Sequence, residues 1–104
     1  MRMVLSAIAM SAALVATDAS AQFVNLTGRY QCVAVCTAGL QGQFAFITQN
    51  GWELNVVNDA GIPSRGWVDR PGRIWVEQAN QGAIYSPDGM QIQFDLGTFW
   101  RRAP

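Results

Sequence analysis

Cys32 and Cys36, the two cysteines of the chain, lie four residues apart in the segment CVAVC. Residues four apart in an extended strand have Cα atoms about 13 Å apart, whereas a disulfide needs about 4.4–6.8 Å. A bond between them therefore requires a turn or a single helical turn instead of a strand. Two buried thiols and an intermolecular bridge are the alternatives. A redox role is disfavoured, because the spacing is not C-x-x-C and no lysine or histidine flanks the pair.

Most other site chemistry is excluded by composition, because the chain has no histidine. Nucleophilic sites with a histidine base and histidine-ligated zinc or copper sites are excluded with it. Two cysteines alone cannot build a structural zinc site, and we find no phosphate or calcium loop. A carboxylate pair is still an alternative, with Asp69 facing Glu77 across a hairpin, but most of the acids sit in or beside turns. We predict no catalytic residue, no metal site and no cofactor.

Tryptophan is enriched, with four residues in a small domain. Tryptophan, tyrosine and arginine are the usual anchors of binding surfaces. Trp67 and Trp75 each lie beside arginines, and Trp75 alternates with the apolar residues of its segment. We therefore predict a binding surface formed by Trp67, Trp75, Arg65, Arg73 and Tyr85. The alternative is that the aromatic residues fill the core of the fold.

Residues 1–21 have the three parts of a secretory signal peptide: Arg2, an apolar run at 4–16 and the cleavage site Ala19-Ser20-Ala21. An uncleaved N-terminal helix is the alternative. Cleavage would leave residues 22–104 as a single small domain, periplasmic or secreted, without a lipid or membrane anchor. An oxidising compartment favours the Cys32–Cys36 disulfide. Positive and negative side chains balance in this domain, so we expect no nucleic-acid partner.

The rest of the pattern predicts an all-β domain. Asn50-Gly51 is typical of a two-residue hairpin turn, which would pair Ile47 with Leu54. Ala45 and Val56 would share their face, the better core, while a second face carries two phenylalanines. Turn signals recur about every 8–12 residues, which is typical of a sandwich or barrel.

Two further segments carry specific expectations. Pro63 lacks a ladder donor and Gly66 weakens pairing, so an edge strand or a bulge is predicted there. Ser86–Gly89 predicts a tight turn, followed by a half-buried strand that runs from Met90 to Leu96 with alternate residues facing inward. Short connections favour an up-and-down antiparallel meander of seven or eight short strands curled into a barrel, preceded by the signal-peptide helix.

The mature chain, above all TQNGWELN and NQGAIYSPDGMQIQFDLGTFW, resembles a family of small exported Gram-negative bacterial proteins that are uncharacterised. A partial resemblance to the periplasmic inhibitors of C-type lysozyme rests on Tyr30-Gln31-Cys32, Gly82 and Tyr85. Those inhibitors are small β-barrels, which implies the same fold here. Gln81 and Leu96 replace the serine and lysine with which the inhibitors block the enzyme, so the inhibitory site is not carried over.

These observations together predict an exported, non-enzymatic binding module. Its partner would be an unidentified protein or envelope component. The alternatives are an inhibitor of a cell-wall lytic or proteolytic enzyme and a small-ligand carrier. Tryptophans exposed in one patch would favour the first two functions, and tryptophans that line an open cavity would favour the carrier.

Overall fold

Each alternating segment of the sequence forms a strand, and each turn signal reverses the chain, so strands adjacent in sequence pair with one another. The computed structural model describes residues 24–104, and within them eight antiparallel strands close into a barrel. The strands are β1 (Gly28–Ala34), β2 (Phe44–Asn50), β3 (Glu53–Val57), β4 (Pro63–Arg70), β5 (Arg73–Val76), β6 (Gln81–Tyr85), β7 (Gln91–Phe94) and β8 (Phe99–Arg102). Pairing of β8 with β1 closes the ring. The predicted meander and barrel are confirmed, while the predicted signal peptide at 1–21 lies outside the described residues.

Alternate residues of every strand point inward and form one hydrophobic core, with Trp100 its largest fully buried side chain. The two ends of the barrel differ. At one end, which we call the plugged end, Leu26 precedes β1, is completely buried and packs into the hydrophobic core. Its carbonyl oxygen accepts a hydrogen bond of 2.7 Å from the Tyr30 hydroxyl, and its amide donates to the Gln49 side chain at 2.8 Å. At the opposite end, the cavity end, the loops after β1, β3, β5 and β7 surround a small cavity.

The β2–β3 hairpin has the predicted faces but not the predicted register. Asn50 pairs with Glu53, so Gly51 and Trp52 form the turn, and Ile47 pairs with Val56 instead of Leu54. Gly51 has a φ of +63°, which suits the first central position of a two-residue turn of type II′. The error is two residues, and side chains alternate with a period of two, so the inward face is unchanged.

β4 is not an edge strand, because it pairs with both β3 and β5 in the closed barrel. Pro63 is its first residue, a position where a missing donor is tolerated. The bulge lies further along the strand, between Val68 and Arg70. Gly66 marks a close approach of two backbones, because a Cβ atom there would lie 2.5 Å from the carbonyl oxygen of Trp75.

The predicted Cys32–Cys36 disulfide is confirmed, with the two Cα atoms 5.8 Å apart. The prediction that the whole segment forms a turn is wrong, because β1 continues through Cys32 to Ala34. The chain reverses at Val35, whose φ of +49° is unusual for a β-branched residue. A buried disulfide is typical of proteins in a non-reducing compartment. Across residues 24–104 there is no helix with the length and apolarity to cross a lipid bilayer.

Candidate recognition surface

Two tryptophans lie side by side on the outer surface of the barrel. Trp67 on β4 and Trp75 on β5 are direct cross-strand partners. Their strand neighbours Gly66, Val68 and Ile74 are buried in the interior, so alternation directs both indole side chains outward. Trp67 is 40% exposed and Trp75 is half-buried. The barrel therefore presents an aromatic pair to solvent on adjacent, rigidly paired strands.

The strand registers extend this pair into a row across four strands. Glu53 of β3 pairs with Trp67, and Gly82 of β6 pairs with Trp75. Gly82 has no side chain to cover Trp75, and a Cβ atom there would overlap the guanidinium of Arg73. We call this region the tryptophan face. Its members are Glu53, Arg65, Trp67, Arg73, Trp75 and Gly82.

The two arginines of the tryptophan face differ in how firmly they are held. Arg73 makes a bidentate pair with Asp95, with Nη1–Oδ1 at 3.1 Å and Nη2–Oδ2 at 2.6 Å. The amide of Gly82 also donates to Asp95 Oδ2 at 3.2 Å. The hydrogen bond from Arg73 lowers the pKa of Asp95 from its ordinary value, and the same bond raises the pKa of Arg73. Arg73 is therefore fixed as part of the surface.

Arg65 is available to a partner. Its guanidinium lies 4.0 Å from Glu53, and the side chains are 77% and 74% exposed. An ion pair this open to water contributes little and exchanges readily for another acceptor. Arg65 also borders an open groove of about 600 Å³ between β3 and β4, which Asn55 and Glu77 help to line. An open groove of mixed character, lined by Val56, Val57 and Pro63 as well as by polar side chains, therefore adjoins the aromatic pair on the side of the cavity end.

The structure brings together four of the five residues predicted as a surface and separates the fifth. On β4, Arg65 lies two residues before Trp67, and on β5, Arg73 lies two residues before Trp75. Because the two strands are antiparallel, the arginines lie on opposite sides of the tryptophan pair on the same outer face. Tyr85 points into the barrel and is 7% exposed, so it belongs to the core. Its place on the predicted surface is wrong because the inward residues of β6 are Ala83 and Tyr85, which pair with Ile74 and Ile92.

Asp69 and Glu77 do not face each other. The amide of Glu77 donates to the Arg65 carbonyl, while Asp69 lies at the bulge near the opposite end of the β4–β5 hairpin. Several cross-strand residue pairs of the hairpin lie between them, and each pair adds about 3.3 Å along the strands. The arrangement of two facing carboxylates that the sequence allowed is therefore not formed across this hairpin.

The interior holds a cavity of about 20 Å³ near the cavity end, with Trp100 among its lining residues. This volume is enough for about one water molecule. Within the described residues, the buried Nε1 atom of Trp100 has no hydrogen-bond partner. The uncharged polar side chains of Ser64, Gln81 and Thr98 also line it.

A second pair of exposed aromatic residues lies on β2, with Phe44 at 41% and Phe46 at 45% exposure. The guanidinium carbon of Arg29 sits 4.6 Å from the centre of the Phe44 ring. Phe46 pairs with Arg29 on one side and with Val57 on the other. The sequence had placed both phenylalanines on the face away from the core, and within residues 24–104 the structure leaves them partly exposed.

Sequence reasoning missed Glu53 and Gly82 as parts of the tryptophan face. Both lie on outward positions, but their neighbours depend on the registers of β3 with β4 and of β5 with β6. An isolated glycine within a strand pattern was the one available signal, because it indicates a close approach. Comparisons of the chain with protein-family models, curated proteins and solved structures found no match.

Proposed function

We propose that this protein is an exported, non-enzymatic binding module that recognises a protein or envelope component through its tryptophan face. One observation carries the proposal: Trp67 and Trp75 are paired on the outside of a closed barrel instead of in its core. Exposed tryptophan with neighbouring arginine is the usual composition of a binding hot spot. The strands hold both indoles in place, so little conformational entropy is lost on binding.

The distribution of all four tryptophans supports this choice. Trp100 alone is in the core, at 1% exposure, whereas Trp52 and Trp67 are 49% and 40% exposed. The cavity of about 20 Å³ has no room for an organic molecule, so the interior gives the carrier alternative no support. Export is supported by the signal-peptide pattern at 1–21 and by the disulfide, which persists in a periplasmic or extracellular setting.

The experiment is affinity capture from an envelope extract of the producing cells, with native mass spectrometry of what is retained. The wild-type protein is compared with Trp67→Ala/Trp75→Ala and with Trp52→Ala as the matched control, since Trp52 is exposed in the β2–β3 turn outside the tryptophan face. We expect a partner that wild type and Trp52→Ala retain and the double variant loses. Equal retention by all three proteins would contradict the proposed surface, and a retained small molecule would favour the carrier.

An enzyme inhibitor is the second candidate, and the loop between β1 and β2 favours it. The disulfide and the bond from the Ala38 amide to Asp59 at 2.9 Å fix the start of this loop. The loop presents Leu40 at 65% exposure. A braced loop with an exposed apolar tip is suited to insertion into an enzyme cleft. Loss of the captured partner in Leu40→Ala, with retention in the tryptophan double variant, would support this function over the first.

A further inference from the structure

Asp59, in the loop between β3 and β4, is a buried carboxylate beside the disulfide. It is 5% exposed, and its Oδ2 atom accepts a hydrogen bond of 2.9 Å from the Ala38 amide. Its Oδ1 atom is buried and has no hydrogen-bond partner among the described residues. A buried carboxylate oxygen without a partner is costly, so it calls for an explanation, and a bound ion is one.

The Asp59 carboxylate lies next to two sulfur atoms. The Sγ atoms of Cys32 and Cys36 and a carboxylate oxygen of Asp59 all lie within 4.8 Å of one another. The C-x₃-C spacing is within the C-x₂₋₄-C range in which two thiolates share one zinc ion. The ligand atoms of a tetrahedral zinc site are roughly 3.5–3.8 Å apart, given Zn–S and Zn–O distances of about 2.3 and 2.0–2.2 Å. The three groups therefore need only a small rearrangement once the sulfurs are no longer bonded.

The segment between the cysteines can supply that rearrangement. Val35 has a φ of +49°, a conformation that is strained for a β-branched residue. The residues that follow, 37–42, form exposed turns. Opening the ring lets Val35 leave this conformation while Cys32 stays fixed in β1, where its amide donates to the Gln43 carbonyl at 2.9 Å.

We propose that reduction of the Cys32–Cys36 disulfide creates a three-ligand site for Zn²⁺ or a similar thiophilic divalent cation, with Asp59 as the third ligand. An external dithiol supplies two electrons and two protons, the S–S bond breaks to give two thiols, and the dithiol becomes a disulfide. Zn²⁺ then displaces the two thiol protons and binds both thiolates and the carboxylate. A water completes the four-coordinate site. Metal and disulfide exclude each other, so the metal reports the redox state of this loop.

Cobalt(II) is the probe, because its thiolate charge-transfer absorption reports bonds to sulfur and Zn²⁺ displaces it. The full protein is reduced with a dithiol under argon and freed of excess reductant before titration. We expect the reduced protein to bind one Co²⁺ per chain with thiolate absorption, and the oxidised protein to bind none. Reduced Asp59→Asn should bind at least about tenfold more weakly. Asp69→Asn is the control, since this exposed carboxylate near the plugged end should leave the affinity unchanged.

Near-ultraviolet circular dichroism, to which the ordered aromatic side chains, Trp100 among them, contribute, monitors the fold in parallel. If reduction unfolds the barrel, Zn²⁺ should restore the signal in wild type but not in Asp59→Asn, because a metal that binds the native state stabilises it. Equal Co²⁺ affinity of wild type and Asp59→Asn would overturn the proposal. Absence of thiolate absorption in a folded, reduced wild type, or failure of Zn²⁺ to refold an unfolded one, would overturn it as well.

Discussion

The backbones of β4 and β5 approach closely at Gly66, and replacing this residue with alanine tests how tightly the tryptophan face is built. A Cβ atom at position 66 would lie 2.5 Å from the Trp75 carbonyl oxygen, a backbone atom held within the β4–β5 ladder. Relief requires β4 and β5 to separate, and overpacking of this kind costs about 1–3 kcal/mol. Gly→Ala also restricts the unfolded chain, which stabilises the protein by about 0.4–1 kcal/mol.

Gly28→Ala is the matched control. Gly28 is also in a strand, and a Cβ atom there would meet the nearest atom, Arg102 Nε, at 3.5 Å, an ordinary contact. Both substitutions restrict the unfolded chain to the same extent. The difference between the two variants in the free energy of unfolding therefore measures the cost of the steric overlap at position 66. We expect Gly66→Ala to be about 1–3 kcal/mol less stable than Gly28→Ala in urea unfolding followed by tryptophan fluorescence. Variants within about 0.5 kcal/mol of each other would refute the close approach as the reason for glycine at 66.

The remaining predictions concern the core and two titrating groups. Trp100→Phe should lower the free energy of unfolding by about 1–3 kcal/mol, because packing in the core is lost. Trp67→Phe, at an exposed position, should change it by no more than about 0.5 kcal/mol. Urea unfolding of both variants is the measurement. Burial raises the pKa of Tyr30 above 10.0, although Arg102 acts to lower it. The contribution of the neutral Tyr30 hydroxyl to stability is therefore fully present below the pKa that Tyr30 has in the unfolded chain, and it is lost as pH rises through its pKa in the folded protein. Thermal melts at alkaline pH should show this loss, and Tyr30→Phe should flatten it. The hydrogen bond from Arg73 lowers the pKa of Asp95. The contribution of the ionised Asp95 to stability is therefore present above the pKa that Asp95 has in the unfolded chain, and it is lost as pH falls through its pKa in the folded protein. Thermal melts at acid pH should show this loss in the wild type and not in Asp95→Asn.

The period of two along the strands was enough to predict most faces of the barrel. It placed Ile47, Leu54 and Val56 inside, although their partners were shifted by two residues. The shift arose because NG and GW are both acceptable two-residue turns, and the choice between them is made by the pairing of the whole hairpin. Strand ends were less predictable: Met90 and Leu96 continue the inward pattern of β7 in sequence, yet they lie beyond the strand at 41% and 75% exposure.

Contacts between distant loops could not be predicted from local patterns. Asp59 fitted a turn, but its carboxylate bonds an amide 21 residues away and lies beside the disulfide. Tyr85 was assigned to the surface because the alternation of residues along β6 does not reveal which of the two alternating sets of side chains faces inward. The apolar Ile84 would have been the natural inward residue, but it is 53% exposed because cross-strand partners place Ala83 and Tyr85 in the core.

The contacts that hold the two ends of the barrel support the proposed binding surface on its side. Buried Leu26 is hydrogen-bonded to Tyr30 and Gln49 at one end, while the disulfide and Asp59 hold the loops at the other. Both sets of contacts lie at the ends of the barrel, whereas Trp67 and Trp75 lie on paired strands along its side. Rigid aromatic anchors lose little entropy on binding, and the neutral balance of Arg65, Arg73 and their acidic partners Glu53 and Asp95 does not select for a highly charged ligand. On the proposed function, we therefore expect a partner that offers apolar surface together with one acceptor for Arg65, the arginine of this face that is not already fixed.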